Sequence, residues 1–172
     1  MKRILTAALA ALSIAVPVQA RIDPDADELL TAMQSDGIHI EINSERCNER
    51  PIYGLFTFVP KTVWRVLTLC PGDTADAVDH STVRHEAIHA IQWCANTRRG
   101  TPFNTPLQAD YDRFQQEVFA NLYIAEIEAI NSNYHKSDWS TEYEAFLYER
   151  TLTAAQILKA YNTVCGPMNR TH

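Results

Sequence analysis

One short segment of the sequence holds side chains whose types and spacing suit a metal ion. Residues 85–89 read His-Glu-Ala-Ile-His, so two histidines lie four positions apart with a glutamate between them. Because positions i and i+4 share one face of a helix, both imidazoles can bind the same ion. Glu86 lies beside them, where its carboxylate can act on water. The pattern therefore predicts a metal site with His85 and His89 as ligands and Glu86 as the catalytic residue.

The chemistry that such a site supports is zinc-dependent hydrolysis. A zinc ion held by three protein ligands keeps a fourth position for water and lowers the pKa of that water towards neutrality. Glu86 can then take a proton from this water while the water attacks a carbonyl carbon. We therefore expect a zinc-dependent peptidase whose substrate is a peptide or a protein.

The surroundings of the motif resemble the zincin metallopeptidases, specifically the gluzincin-like branch, in which a glutamate on a later helix completes the metal site. The resemblance covers residues 85–94 and a second block at residues 142–146, Glu-Tyr-Glu-Ala-Phe, which looks like the E-x-x-A segment that carries the third ligand. With the late Cys165, the pattern is similar to that of small exported bacterial proteins. The metzincin extension x-x-G-x-x-H does not follow His89, so a carboxylate is the expected third ligand.

Three glutamates compete for the place of the third ligand. Glu142 begins the E-x-x-A segment of the resemblance and is the favoured ligand. Glu117 begins a second E-x-x-A segment in the preceding predicted helix. Glu144 is the other alternative, although Thr141 and Glu144 have the spacing of a capping box, with Thr141 as N-cap, which would give Glu144 a structural role.

A hydrolase of this kind also needs a donor for the negative charge that develops on the carbonyl oxygen. Four side chains near the third-ligand segment are candidates for this role: Tyr134, His135, Tyr143 and Tyr148. Gln92 lies three residues after His89, near the ligand face, and could orient a ligand or bind substrate. An ordinary glutamine on a helix surface is the simpler interpretation of Gln92.

The elements that position these residues follow from hydrophobic periodicity and from turn signals. The predicted elements are a helix over 26–34, strands over 38–42, 52–59 and 62–69, a catalytic helix from about Ser81, and helices over 110–130 and 141–161. The expected fold class is α+β, with a small, mostly antiparallel sheet, the catalytic helix and two further helices. Asp36 and Gly37 predict the end of the first helix.

The first twenty residues predict a secretory signal peptide. Two basic residues precede an apolar run over residues 4–16, and residues 18–20, Val-Gln-Ala, match a cleavage site. The run is shorter than the roughly 20 residues that a membrane span needs. We therefore expect an exported protein, periplasmic or secreted, with no membrane span after cleavage of residues 1–20 and with a single domain over residues 21–172.

Four cysteines follow the predicted leader, and none forms a C-x-x-C pair. An even number of cysteines in an exported chain predicts two disulfides. The favoured pairing is Cys47 with Cys70, which bracket an apparent β meander, and Cys94 with Cys165, which would tie two helices together.

The overall composition excludes several other classes of protein. The chain has 172 residues, of which 46% are hydrophobic and 21% charged, so collagen-like, coiled-coil and disordered chains are excluded. The formal net charge of −6 argues against a general nucleic-acid binder, which needs a basic face. The alternative function is a non-catalytic exported binding or structural protein that zinc stabilises through the same ligands.

Overall fold

The computed structural model describes residues 24–48, 53–59, 64–71 and 80–166. These residues form an α+β fold, as predicted. In chain order its elements are α1 (Pro24–Ser35), β1 (His39–Ile42), a 3-10 turn (Glu45–Asn48), β2 (Gly54–Phe58), β3 (Arg65–Leu69), α2 (His80–Arg99), α3 (Tyr111–Asn121), α4 (Ile124–Asn133), α5 (Trp139–Thr151) and α6 (Ala154–Val164). The predicted leader, residues 1–20, lies outside the described residues.

The sheet is mixed rather than mostly antiparallel. Its strand order is β1-β3-β2, and the central strand β3 is buried along its whole length. Leu67 lies opposite Phe56 in the antiparallel pair with β2 and opposite Ile40 in the parallel pair with β1. The parallel pair arises because the chain reverses twice between β1 and β3, so both strands run in the same direction. Local alternation of residues reveals a strand but does not reveal this long-range pairing.

Helix α2 lies at the centre of the molecule. One side of it packs against the sheet and α1, and the other packs against α5 and α6. The main core contains side chains from all these elements, including Leu29, Leu67, Val83, Ile88, Ala145 and Ile157. A second cluster joins α3, α4 and α5 through Phe114, Val118, Leu122, Ile130 and Leu147. Because α2 is covered on both sides, the polar residues of its middle turns are buried.

The two long helices predicted over 110–130 and 141–161 are each broken into two. Leu122 and Leu152 have extended backbones, with ψ of 144° at both, and end α3 and α5. Their side chains pack against the second cluster and the main core. After the second break, Thr153 and Gln156 form a capping box that begins α6. Helical periodicity continues across both breaks, and for this reason the pattern predicts one long helix in each place.

Both predicted disulfides are confirmed. Cys47 in the 3-10 turn is bonded to Cys70 after β3, and Cys94 on α2 is bonded to Cys165 at the end of α6. Two disulfides are compatible with an extracellular location. None of the helices within the described residues is long and apolar enough to cross a membrane. The predicted end of α1 is also confirmed, because Gly37 adopts a positive φ of 81° there.

Candidate metal centre

Two turns of α2 and the first turns of α5 bring three metal-binding side chains together. The ligand atoms of His85, His89 and Glu142 all lie within 4.8 Å of one another. The two Nε2 atoms of the histidines are 3.1 Å apart. The carboxylate oxygens of Glu142 lie 3.4 Å from the Nε2 atoms, with Oε2 next to His85 and Oε1 next to His89. Ala145, fully buried between the helices, lets α5 approach α2 closely.

These three side chains fit a divalent ion such as zinc. Two ligands about 2.1 Å from one ion in a tetrahedral arrangement lie roughly 3.4 Å apart, which is close to the separations of 3.1 and 3.4 Å found here. Glu142 Oε2 is buried and accepts no hydrogen bond within the described part of the chain. Two imidazoles and a carboxylate are ordinary zinc ligands. The set could therefore hold a metal ion.

The far side of each imidazole is held by a hydrogen-bond partner. His85 Nδ1 lies 3.2 Å from Glu149 Oε2, and His89 Nδ1 lies 2.7 Å from Gln92 Oε1. These contacts direct both Nε2 atoms towards Glu142, which is the usual arrangement around metal-bound histidines. Glu149 is not among the residues predicted for the site. It lies seven residues after Glu142 on α5, and this i+7 spacing places both glutamates on one face of the helix.

The structure places the two alternative third ligands elsewhere. The Glu117 carboxylate accepts from Arg113 Nε at 2.9 Å on the outer side of α3. Glu144 is fully buried on a different side of α5, where it accepts from the backbone N–H groups of Leu107 and Gln108. Of the three glutamates, only Glu142 lies beside the two histidines.

The predicted capping box at Thr141 is wrong. Helix α5 begins at Trp139, one turn earlier in its register, and Thr141 is already inside it. The Thr141 hydroxyl donates to the carbonyl of Asp138 at 2.8 Å. Glu144 does not turn back to the backbone of Thr141 because its carboxylate is occupied by N–H groups of the preceding loop.

Glu86 is buried between α2 and the edge strand β2. A Cβ atom on Gly54 would lie 2.6 Å from Glu86 Oε1, so the strand can approach only because residue 54 has no side chain. Burial raises the pKa of Glu86, and the neighbouring His89 and His85 oppose that rise. Its Oε2 accepts no hydrogen bond from the described residues. One carboxylate oxygen is therefore available as a proton acceptor.

Without a bound ion, the side chains of this centre already favour a positive charge beside Glu142. Burial disfavours charge on His85, but the carboxylates of Glu142, 3.4 Å away, and Glu149 outweigh it and raise the His85 pKa to about 10. Burial also opposes ionisation of Glu142, yet the two histidines lower its pKa to about 2. The Glu142 carboxylate thus stays ionised over the physiological range, where it can balance the charge of a protonated imidazole or of a bound cation.

Tyr134 is the oxyanion candidate that faces the centre. It caps the C-terminal end of α4, is 39% exposed and interacts electrostatically with Glu142, Glu86 and Glu149. Burial and the negative charges of Glu142 and Glu86 raise the pKa of its hydroxyl, and a hydrogen bond to Glu142 adds to the rise. The hydroxyl therefore stays protonated and able to donate a hydrogen bond.

The other three candidates have different partners. His135 is exposed, and its Nδ1 lies 2.8 Å from the hydroxyl of Ser137. The Tyr143 hydroxyl donates to Asn131 Oδ1. Tyr148 packs against both hydrophobic clusters. The structure brings none of these three side chains to the metal-binding group.

Strand β2 presents one backbone edge next to Glu86. The Tyr53 carbonyl and the Val59 N–H bond to the segment that contains β3, so in the alternating antiparallel pattern the N–H and C=O groups of residues 54, 56 and 58 point the other way. The N–H of Phe56 faces the Glu86 carboxylate. In the sheet formed by the described residues, no strand pairs with this outer edge.

Comparison of the chain with family models, with curated protein sequences and with solved structures gives no significant match. The resemblance to the zincins therefore stays a prediction, and a function for the chain depends on the geometry of this centre.

Proposed function

We propose that the protein is an exported zinc-dependent metallopeptidase. His85, His89 and Glu142 would hold the ion, and Glu86 would act as the general base. The observation that carries this proposal is the meeting of two imidazole Nε2 atoms and a carboxylate next to a buried glutamate with a free oxygen. A structural metal site has no need for such a glutamate, because it needs no proton acceptor beside the ion.

The roles of the chain's own residues follow from their positions. A zinc ion bound by this set supplies a Lewis acid that makes water reactive near neutral pH. Glu86 accepts a proton from the attacking water and returns it to the leaving amine, and its raised pKa suits both transfers. Tyr134 keeps its proton and donates a hydrogen bond to the oxygen on which negative charge develops.

The edge of β2 supports a peptide as the substrate class. An extended peptide can add to an open sheet edge through main-chain hydrogen bonds, which do not depend on its sequence. The groups of residues 54, 56 and 58 point to this edge, and Glu86 lies directly beside it. A scissile bond held there would lie close to the general base. Phe103, whose ring centre is 6.4 Å from that of His89, offers an apolar wall.

Export of the protein is part of the proposal. The predicted leader over residues 1–20 and the two disulfides support a location in the periplasm or outside the cell.

The second candidate function is a non-catalytic protein that zinc stabilises. The observation in its favour is that the metal-binding group joins α2, the central helix of the core, to α5, so a bound ion would also stabilise the fold.

Replacement of the general base separates the two functions. Glu86→Gln should retain zinc, because Glu86 is not a ligand, and should lose hydrolysis of a quenched fluorescent peptide library. Glu117→Gln, a partly exposed change on α3, is the matched control and should keep both properties. Hydrolysis at the wild-type rate in Glu86→Gln would refute the peptidase mechanism. Wild-type protein that holds zinc without cleaving any peptide would favour the stabilising role.

A further inference from the structure

Gln92 is a buried bridge behind the metal centre. It is fully buried, and both ends of its side-chain amide have partners: Oε1 lies 2.7 Å from His89 Nδ1, while Nε2 donates to the Thr141 carbonyl at 3.0 Å and to Glu144 Oε2 at 2.9 Å. The two acceptors fix which end of the amide is nitrogen. The oxygen must then face His89, where it accepts the Nδ1 proton and leaves Nε2 free for a metal ion.

Glu144 connects this bridge to the loop before α3. Its carboxylate is fully buried and accepts from the N–H of Leu107 at 2.8 Å and from the N–H of Gln108 at 2.9 Å. It therefore receives three hydrogen bonds, one from Gln92 and two from the loop. Each is a charge-assisted bond in a buried setting, where loss of a partner is costly.

The same loop reaches the open side of the centre. Asn96 on α2 donates to the carbonyls of Phe103 and Thr105 at 3.0 and 2.7 Å, which fixes the first half of the loop. Phe103 is thereby held against Phe58 of β2, with ring centres 4.8 Å apart, and near His89. The loop is thus connected to His89 in two ways. Hydrogen bonds link it through Glu144 and Gln92 to Nδ1, and Phe103 places a ring near the imidazole.

We propose that Gln92 and Glu144 are positioning residues that couple metal binding at His89 to the order of the loop over residues 100–110. This inference rests on the proposed metal site. The His89 Nδ1 proton already faces Gln92 Oε1, and an ion on Nε2 would draw electron density from the ring and make Nδ1–H a stronger donor to Gln92. Gln92 is then held more firmly against Glu144, and Glu144 against the loop. By reciprocity, an ordered loop favours the ligand form of His89.

Without Glu144, Gln92 Nε2 keeps only one of its two acceptors, so rotation of the amide by 180° costs less free energy. A turned amide would present its NH2 group to Nδ1, which could then only accept, and the proton of a neutral His89 would move to Nε2. That form cannot bind a metal ion through Nε2. The two residues therefore act on the metal through His89 and do not touch the reacting atoms.

The first test uses the wild-type chain and needs no variant. Hydrogen exchange of the amides of Leu107 and Gln108 is measured with and without Zn²⁺. We expect Zn²⁺ to slow exchange at both amides. Bound Zn²⁺, shown by metal analysis, with unchanged exchange at both amides would overturn the coupling and leave the proposed function intact. Failure of the wild-type chain to bind Zn²⁺ would overturn both.

The second test compares variants by chelator competition and by the visible spectrum of the Co²⁺-loaded protein. Gln92→Leu should weaken Zn²⁺ affinity by about 10- to 100-fold, the usual loss for a partner behind a ligand, and should change the Co²⁺ spectrum. Glu144→Gln, which keeps the shape, should retain zinc with a smaller loss of affinity. Glu128→Gln, an exposed change on α4, is the control and should match the wild type. Wild-type affinity and spectrum in folded Gln92→Leu would refute the inference.

Discussion

Gly54 on β2 lies so close to Glu86 on α2 that a single added carbon atom on the glycine would come within 2.6 Å of the carboxylate. Gly54→Ala should therefore displace either Glu86 or the strand. A displaced general base lowers the rate of hydrolysis by about 100-fold, because an error of about 1 Å in position is enough. Zinc content should be unchanged, because none of the three ligands contacts residue 54 in this way.

The matched control for this prediction is Gly166→Ala, where an added carbon meets nothing within 4 Å. Steady-state kinetics and metal analysis of both variants check the prediction. Equal kcat values in Gly54→Ala and the wild type would contradict the prediction that hydrolysis depends on the close approach of Gly54 to Glu86.

The ligand set predicts a graded loss of metal. His85→Ala and His89→Ala should lose stoichiometric zinc. Glu142→Gln keeps the size of the side chain but removes the negative charge, so its affinity should fall steeply. Glu117→Gln should stay within about 0.5 kcal/mol of wild-type stability. Loss of zinc from Glu117→Gln with zinc retained in Glu142→Gln would assign the third ligand to α3 and contradict the structure.

Tyr134→Phe should separate turnover from binding of metal. Removing one donor to a developing oxyanion typically lowers kcat by about 100- to 1,000-fold. Zinc affinity should change little, because the hydroxyl is not among the three ligands. Tyr143→Phe is the control, since that hydroxyl bonds to Asn131 instead. A similar kcat in both variants would remove Tyr134 from the mechanism.

The metal-free protein should have a bell-shaped dependence of stability on pH. The His85 pKa is raised from 6.5 to about 10, so its contribution is complete below pH 6.5 and is lost as the pH rises through about 10. The Glu142 pKa is lowered from 4.5 to about 2, so its contribution is present above pH 4.5 and is lost as the pH falls through about 2. The raised pKa of Glu86 has the same sign as that of His85 but lowers stability from pH 4.5 upwards, so it shifts the maximum towards its acid end.

The melting temperature of metal-free protein should therefore be highest between about pH 4.5 and 6.5. Zinc must displace protons from the imidazoles, and histidine ligands lose these protons between about pH 6 and pH 9. The rise in melting temperature on adding Zn²⁺ should therefore grow over this range. Calorimetry across this range checks both statements. Glu142→Gln is the comparison variant, and a profile identical to that of the wild type would contradict the assignment.

The two disulfides should differ in their effect on stability. The Cys94–Cys165 bond closes a loop with a sequence separation of 71, against 23 for Cys47–Cys70. In the chain-entropy model the longer loop contributes about 1 kcal/mol more. Urea denaturation of the two double-serine variants measures the difference. Equal free energies of unfolding, or a larger loss for Cys47–Cys70, would contradict this ranking.

The sequence could predict the positions of those site residues that are related by the spacing of a single helix. The i, i+4 relation placed His85 and His89 on one face of α2, and the E-x-x-A register pointed to Glu142, which the structure brings beside them. The break before α6 also has a local signal, the capping box of Thr153 and Gln156. The helical periodicity that continues across the break predicts a single helix and obscures this signal.

Other features depend on segments that are distant in the sequence. The role of Glu144 is set by backbone N–H groups of Leu107 and Gln108, more than thirty-five residues earlier. No side-chain pattern indicates such partners, so a capping role was the natural prediction for Glu144. The close approach of Gly54 to Glu86 and the parallel pairing of β1 with β3 were hidden for the same reason.

Helix α2 supplies both the centre of the hydrophobic core and the two histidines of the metal-binding group. These buried histidines and Glu142 of α5 would gain their full set of partners only with a cation among them. A chain that has not acquired its ion would then open more often and offer more cleavage sites to proteases. The amount of this protein that accumulates would therefore follow the metal supply of its surroundings. When metal is scarce, the inactive metal-free form would be degraded and would not accumulate.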